Sequence, residues 1–168
     1  MNNVILIGMP GAGKSTVGVL LAKSLLSDFT DTDLIIQNRE KSALADIINS
    51  RGTDFFIKLE ENTILSCDFQ NTVVATGGSV VYGENAMKKL SLNSTVVYLK
   101  VELSELQRRL GDITTRGIAM PDNMGIPELF NERSPLYEKY ADITIDCTKI
   151  TPEECVNRII EKLSEKNI

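Results

Sequence analysis

The sequence predicts an α/β fold of three layers, a parallel sheet with helices on both faces. Three observations carry that prediction. Five apolar or β-branched runs are spread along the 168 residues, helical patterns separate them, and three of the runs are apolar without alternation. A strand covered on one face alternates apolar and polar side chains, whereas a strand covered on both does not. Strands that alternate with helices are joined by right-handed crossovers, which leave the strands parallel and the helices outside.

The elements follow in order. Val4–Ile7 is a continuous apolar strand that runs into a glycine-rich turn. Val17, Leu20, Leu21 and Leu25 then recur at i, i+3, i+4 and i+8, the signature of a helix that begins right after the turn. Residues 28–32 form a weaker second strand. Leu44, Ile47 and Ile48 mark a helix over 42–50 that Gly52 ends, and another helix covers about 53–67. Thr72–Ala75 and Thr95–Leu99 are the third and fourth strands, and a helix over 104–110 stops at Gly111. Ile143–Asp146 is the fifth strand. Thr151-Pro152-Glu153-Glu154 is a capping box with proline in the first helical position, and Val156, Ile159, Ile160 and Leu163 supply that last helix's buried face.

One segment breaks the rhythm. Residues 111–129 hold three glycines, two prolines and a single cation, Arg116. A structureless run of this length inside a compact domain is either a functional lid, placed here at about 111–127, or a loose surface loop. No repeat or low-complexity linker divides the chain, so residues 1–168 read as one domain.

Composition narrows the function. A net charge of −5 provides no broad basic surface, which argues against nucleic-acid binding. The apolar run at Val4–Gly8 lacks a basic flank and is too short for a signal peptide core or a membrane span. Cys67, Cys147 and Cys155 are odd in number and far apart in sequence; they read as reduced thiols of a cytoplasmic protein. There is no histidine. Any general base is therefore a carboxylate, a lysine, a tyrosine or a water.

The chemistry-bearing motifs lie where the strands end. Gly8-Met9-Pro10-Gly11-Ala12-Gly13-Lys14-Ser15 matches G-x-x-x-x-G-K-[ST] in full. Its glycines let backbone N–H groups and a helix N-terminus face phosphates; Lys14 adds a point charge, and the Ser15 hydroxyl suits Mg²⁺. Asp31 and Asp33 point to the same side of an extended chain, one placed to anchor Mg²⁺ through water and the other to accept a hydroxyl proton. Gly77-Gly78-Ser79 follows the third strand, where glycines let an acceptor approach the backbone. Arg108 and Arg109 close a helix. Arg133 lies in "NERSPLYEKY" among alternating charges, a setting in which a surface ion pair is the default.

"GMPGAGKST", "DTD", "TGG", a lid arginine and "ERSPLYEKYAD" occur in this order, and the chain resembles the shikimate kinases from Val4 to about Leu163. The resemblance implies a P-loop fold with five parallel strands in the order 2-3-1-4-5 and a lid. It implies ATP and Mg²⁺ as cofactors, a small-molecule acceptor, and a monomer. Gly11, Ala12, Gly13, Lys14, Ser15 and Thr16 would hold the nucleotide, Arg109 would pack on adenine, and Ser15 with Asp31 would hold the metal. Asp33, Gly77, Gly78 and Arg133 would bind the acceptor, and Lys14, Asp33 and Arg116 would carry catalysis.

Three positions depart from the family pattern. Ile57 stands where the family places an acceptor-binding arginine, Ser79 where a third glycine is usual, and Gly117 where proline is usual. Lys58 is one residue along, about 100° around a helix, and is no simple substitute. Loss of a bidentate charged pair costs about 1.5–3 kcal/mol of acceptor binding. The expected activity is phosphorylation of shikimate to shikimate 3-phosphate. A kinase of the same fold for another small hydroxylated acceptor, or a nucleotide-binding regulator without turnover, are the alternatives.

Overall fold

The computed structural model describes residues 3–111, 117–121 and 123–166. Five strands form one sheet in the order β2-β3-β1-β4-β5: β1 Asn3–Ile7, β2 Asp28–Asp31, β3 Thr72–Ala75, β4 Ser94–Lys100 and β5 Ile143–Asp146. Every neighbouring pair is parallel. Unalternating strands sit in the middle because both faces are covered: Ile5, Leu6, Ile7, Val74, Val96, Val97 and Leu99 expose no surface. At the edges, β5 alternates buried and exposed residues, and β2 has no fully buried residue.

The helices are α1 Lys14–Leu25, α2 Thr32–Glu40, α3 Leu44–Arg51, α4 Thr53–Ser66, α5 Glu84–Ser91, α6 Leu103–Leu110, α7 Ile126–Tyr140 and α8 Pro152–Glu165. The capping box of α8 is closed in both directions, Glu154 N donating to Thr151 Oγ1 at 3.2 Å and Thr151 N to Glu154 Oε2 at 2.7 Å.

Three sequence readings change. Strand β2 ends at Asp31 rather than Thr32, because the Asp31 carboxylate accepts from Asp33 N at 3.0 Å and starts α2 there. Helices α2 and α5 have no counterpart in the sequence reading. The irregular segment is shorter than 111–129: α7 begins at Ile126, with Gly125 N donating to Glu128 Oε2 at 3.1 Å and Pro127 in its first turn.

Register decides where the functional segments meet. Leu6 pairs with both Ala75 and Val97, and Asp31 pairs with Ala75. The turns after β1 and β3 and the start of α2 therefore leave the sheet at one edge, the usual ligand side of such folds. Beside that edge, a small apolar cluster of Ile36, Ile47, Phe56 and Ala119 joins α2, α3 and α4 to residues 117–121. Gly117 fits this junction as glycine alone. Its φ is +58°, which proline cannot adopt, and a Cβ would lie 2.6 Å from Ala45 N.

Candidate active site

The turn after β1 turns back on itself at Gly8, Gly11 and Gly13, whose φ values are +144°, +81° and +96°. Gly13 caps α1 with no side-chain hydrogen bond, so the first N–H groups of this helix remain available to an anion. Lys14 is buried, its Nζ donating to Gly8 O at 2.7 Å and Met9 O at 3.0 Å. Burial, with Arg133 nearby, lowers its pKa to about 8 against the pull of Asp33.

Asp31 and Asp33 are brought together by a helix start, not by an extended strand. Asp31 Oδ2 accepts from Ser15 Oγ at 2.6 Å, while Oδ1 caps α2 through Asp33 N. Asp33 follows in the first turn of α2, its Oδ1 enclosed and without a hydrogen-bond partner. Burial, and after it the Asp31 charge, raises the Asp33 carboxyl to about 6; Lys14 opposes the shift. Thr32 Oγ1 between them accepts from Gly77 N at 3.2 Å, tying α2 to the turn after β3.

That turn needs its glycines for space. A Cβ on Gly77 would lie 2.1 Å from Glu60 Oε1 and 2.9 Å from Asp33 Oδ1. One on Gly78 would lie 2.8 Å from Pro10 Cδ and 3.1 Å from Arg133 Nη1. Ser79, in the third position, donates its hydroxyl to Glu60 Oε2 at 2.6 Å. Glu60 is almost fully buried, its Oε1 lacks a partner, and burial pushes its pKa to about 7.

Arg133 is not the surface ion pair its charged neighbours suggest. It is 1% exposed, with Nε donating to Tyr82 Oη at 3.1 Å and Nη2 bonded to Ala119 O. Tyr82 Oη in turn donates to Glu132, and Tyr137 Oη donates to Gly78 O at 2.6 Å. Arg109 pairs with Glu105 at 2.7 Å and donates to Gly11 O at 3.4 Å and Cys147 O at 3.1 Å, bridging the phosphate turn and the end of β5. Cys147 and Cys155, eight residues apart, are buried neighbours with sulfurs 2.8 Å apart. Arg116 lies outside the described residues.

A cleft of about 450 Å³ collects most of these groups. Its lining includes Gly11, Gly13, Lys14, Ser15, Thr16, Asp33, Gly77, Gly78 and Arg133, together with Phe56 and Ser79. Asp31 meets it through Ser15, and Arg109 through Gly11. Ala12 is buried in the turn without lining the cleft. Among the described residues no cluster of three acidic, cysteine or histidine side chains could hold a metal. A Ser15–Asp31 pair fits Mg²⁺ nonetheless, since that ion takes one or two protein oxygens and completes its shell with phosphate and water. The arrangement brings the glycine turn with Lys14, a carboxylate with one unpartnered oxygen and a buried guanidinium into one cleft. Glu60, one helical turn after Ile57, received no role from the sequence; the structure places its buried carboxyl beside Asp33 and Gly77.

Comparisons with known proteins agree on one relationship. A model of the shikimate kinase family matches residues 10–164. The shikimate kinase of Thermodesulfovibrio yellowstonii is 37% identical over 165 residues, 96% of this chain and 95% of that protein. Among solved structures, shikimate kinase from Acinetobacter baumannii in complex with shikimate superposes with a TM-score of 0.92 at 25% identity, covering 100% of this chain and 96% of that one. The shikimate kinase of Aquifex aeolicus gives 0.84 at 31% identity, covering 99% and 98%.

Proposed function

The chain belongs to the shikimate kinase family, and from that premise we propose that it transfers the terminal phosphoryl group of ATP to a hydroxyl of shikimate, giving shikimate 3-phosphate. The observation that carries the reading is one cleft lined by Lys14, Asp33 and Arg133 together. Phosphoryl transfer asks the protein for little covalent chemistry; positioning and charge neutralisation supply the rate.

Each side chain has a task in that scheme. The turn from Gly11 to Thr16 holds the phosphates, with Arg109 at the nucleotide end. Lys14, released from the two carbonyls it now bonds, turns its ammonium to the phosphates. Ser15 and Asp31 are the residues that would hold Mg²⁺, which when bound spreads the charge of the transferring group. Gly77 and Gly78 let the acceptor approach the backbone, Arg133 binds its carboxylate, and Asp33 takes the hydroxyl proton. Arg116 is assigned the charge that builds up in the transition state. In the same reading residues 1–168 are one kinase domain, monomeric and cytoplasmic, with a lid over about 111–127. Among the described residues no helix is long and apolar enough to cross a membrane.

Ile57 favours a second reading at the acceptor end alone. Without an arginine there, shikimate's carboxylate has Arg133 as its only cationic partner from the expected pair, and a different small hydroxylated acceptor becomes competitive. Asp33→Asn tests the shared core: transfer to the acceptor should fall at least a hundredfold while ATP binding, followed by calorimetry, persists. Unchanged turnover would remove Asp33 from the reaction.

A further inference from the structure

Arg133 is held from two sides. Its guanidinium is a planar fork, so bonds to two of its nitrogens fix the direction of the third. Nε donates to Tyr82 Oη at 3.1 Å, and Nη2 donates to Ala119 O. The third nitrogen, Nη1, lies 3.1 Å from the place a Cβ on Gly78 would take, and Gly78 lines the cleft together with Arg133. Of the two anchors, the Ala119 carbonyl is backbone that any residue would offer. The Tyr82 hydroxyl is specific to its side chain.

Tyr82 ends a single turn of 3-10 helix, Val80–Tyr82, that follows the glycine turn. Its hydroxyl works in both directions, accepting from Arg133 and donating to Glu132. Glu132 precedes Arg133 on α7 and is exposed, so the bonds run from the buried guanidinium through the phenol to a carboxylate at the surface. A phenol that donates to a carboxylate is a stronger acceptor for its other partner. Burial, and after it the Glu132 bond, raises the Tyr82 pKa above the ordinary range, so the phenol keeps its proton. The ring also packs on the guanidinium, with Arg133 Cζ 5.1 Å from its centroid, a contact that phenylalanine would retain. Removing the hydroxyl alone therefore separates aim from packing.

Resting on the reading that Arg133 binds the acceptor's carboxylate, we propose that Tyr82 is a positioning residue: backed by Glu132, it aims Arg133 at that carboxylate and sets the preference for an acidic acceptor over its uncharged counterpart. Tyr82 does not line the cleft and acts through Arg133. Ile57 makes this aim matter more, since no second arginine of the expected pair is present to correct it.

The test is kcat/KM with Mg·ATP for shikimate and for its primary carboxamide, which has nearly the same shape and no charge. Their ratio measures what the carboxylate's charge contributes. Tyr82→Phe should lower that ratio at least fivefold through a higher KM for shikimate, while the KM values for the carboxamide and for ATP change less than twofold. A packing or folding defect lowers both acceptors alike and leaves the ratio where it was. Glu132→Ala should move the ratio in the same direction, and the double variant should go no further than Tyr82→Phe, because both act through one hydroxyl. An unchanged ratio in Tyr82→Phe, from a protein that prefers the acid, overturns the proposal and leaves the reading of Arg133 intact. Equal turnover of acid and carboxamide by the unaltered protein, or turnover of neither, overturns both. Additive losses in the double variant overturn the part given to Glu132.

Discussion

Asp33 holds its proton more tightly than an aspartate in water because it sits enclosed beside another carboxylate, Asp31, with Lys14 only partly offsetting them. A base must be ionised to accept a proton, so acceptor kcat/KM should fall about tenfold per pH unit below a pKa of about 6. Asp33→Asn should abolish that limb along with most of the rate; a limb that survives the substitution belongs to another group. Glu60 makes the converse argument for stability. Burial raises its carboxyl from 4.5 to about 7, opposed by the Ser79 hydrogen bond, so the folded state binds the proton more tightly than the unfolded one. Stability therefore declines as pH rises through that window. Glu60→Gln should stabilise the ligand-free protein at pH 8 by on the order of 2 kcal/mol, with the gain vanishing below about pH 4.5, as read by chemical denaturation. Such a gain would mark Glu60 as a residue kept for its charge at a cost in stability. Ile57 was legible as a departure at the residue scale, whereas the enclosure of Glu60 was not, because burial is a property of the assembled helices.

The turn from Thr76 to Ser79 works through what it omits. Gly77 has no room for a methyl group between Glu60 and Asp33, and Thr32 fixes its N–H from the start of α2. Gly77→Ala should therefore raise the acceptor KM at least tenfold while the KM for ATP, which the proposed function places at the β1 turn, changes less than threefold. Equal losses in both would place the damage in the fold rather than in the acceptor subsite. Several elements were readable from sequence because their signals are local: the strand-turn-helix of β1 and α1, and the capping box of α8. Helix α2 was hidden because Asp31 and Asp33 read as alternating strand positions, and only Ile36 among its side chains is a fully buried apolar one. Helix α5 spans 8 residues with three buried side chains, too short for a period to stand out. Arg133 looked like surface charge because its neighbours Glu132 and Glu138 are charged, yet the side of α7 it occupies faces Tyr82 and the 119 carbonyl.

At the scale of the molecule, the sheet order is what turns separate motifs into a site. Placing β1 between β3 and β4 brings the phosphate turn next to the glycine turn, and β2 beyond β3 brings Asp33 to the same edge. Apolar runs alone fixed which strands are central, since only strands covered on both faces are continuously apolar. The order itself came from resemblance, because nothing in five runs of side chains specifies which neighbours pair. The acceptor's identity was the least legible property. It depends on how Ser79 and Arg133, which line the cleft, combine with Ile57 and the buried Glu60 of α4, four positions spread over 77 residues of sequence.

The central claim is that this cleft moves a phosphoryl group from ATP to a hydroxyl. Phosphorus NMR of the protein with Mg·ATP and shikimate tests it most directly. A new phosphomonoester signal should grow in equal measure with ADP and fail to appear in Asp33→Asn. ATP left intact, or inorganic phosphate as the only new product, would contradict it.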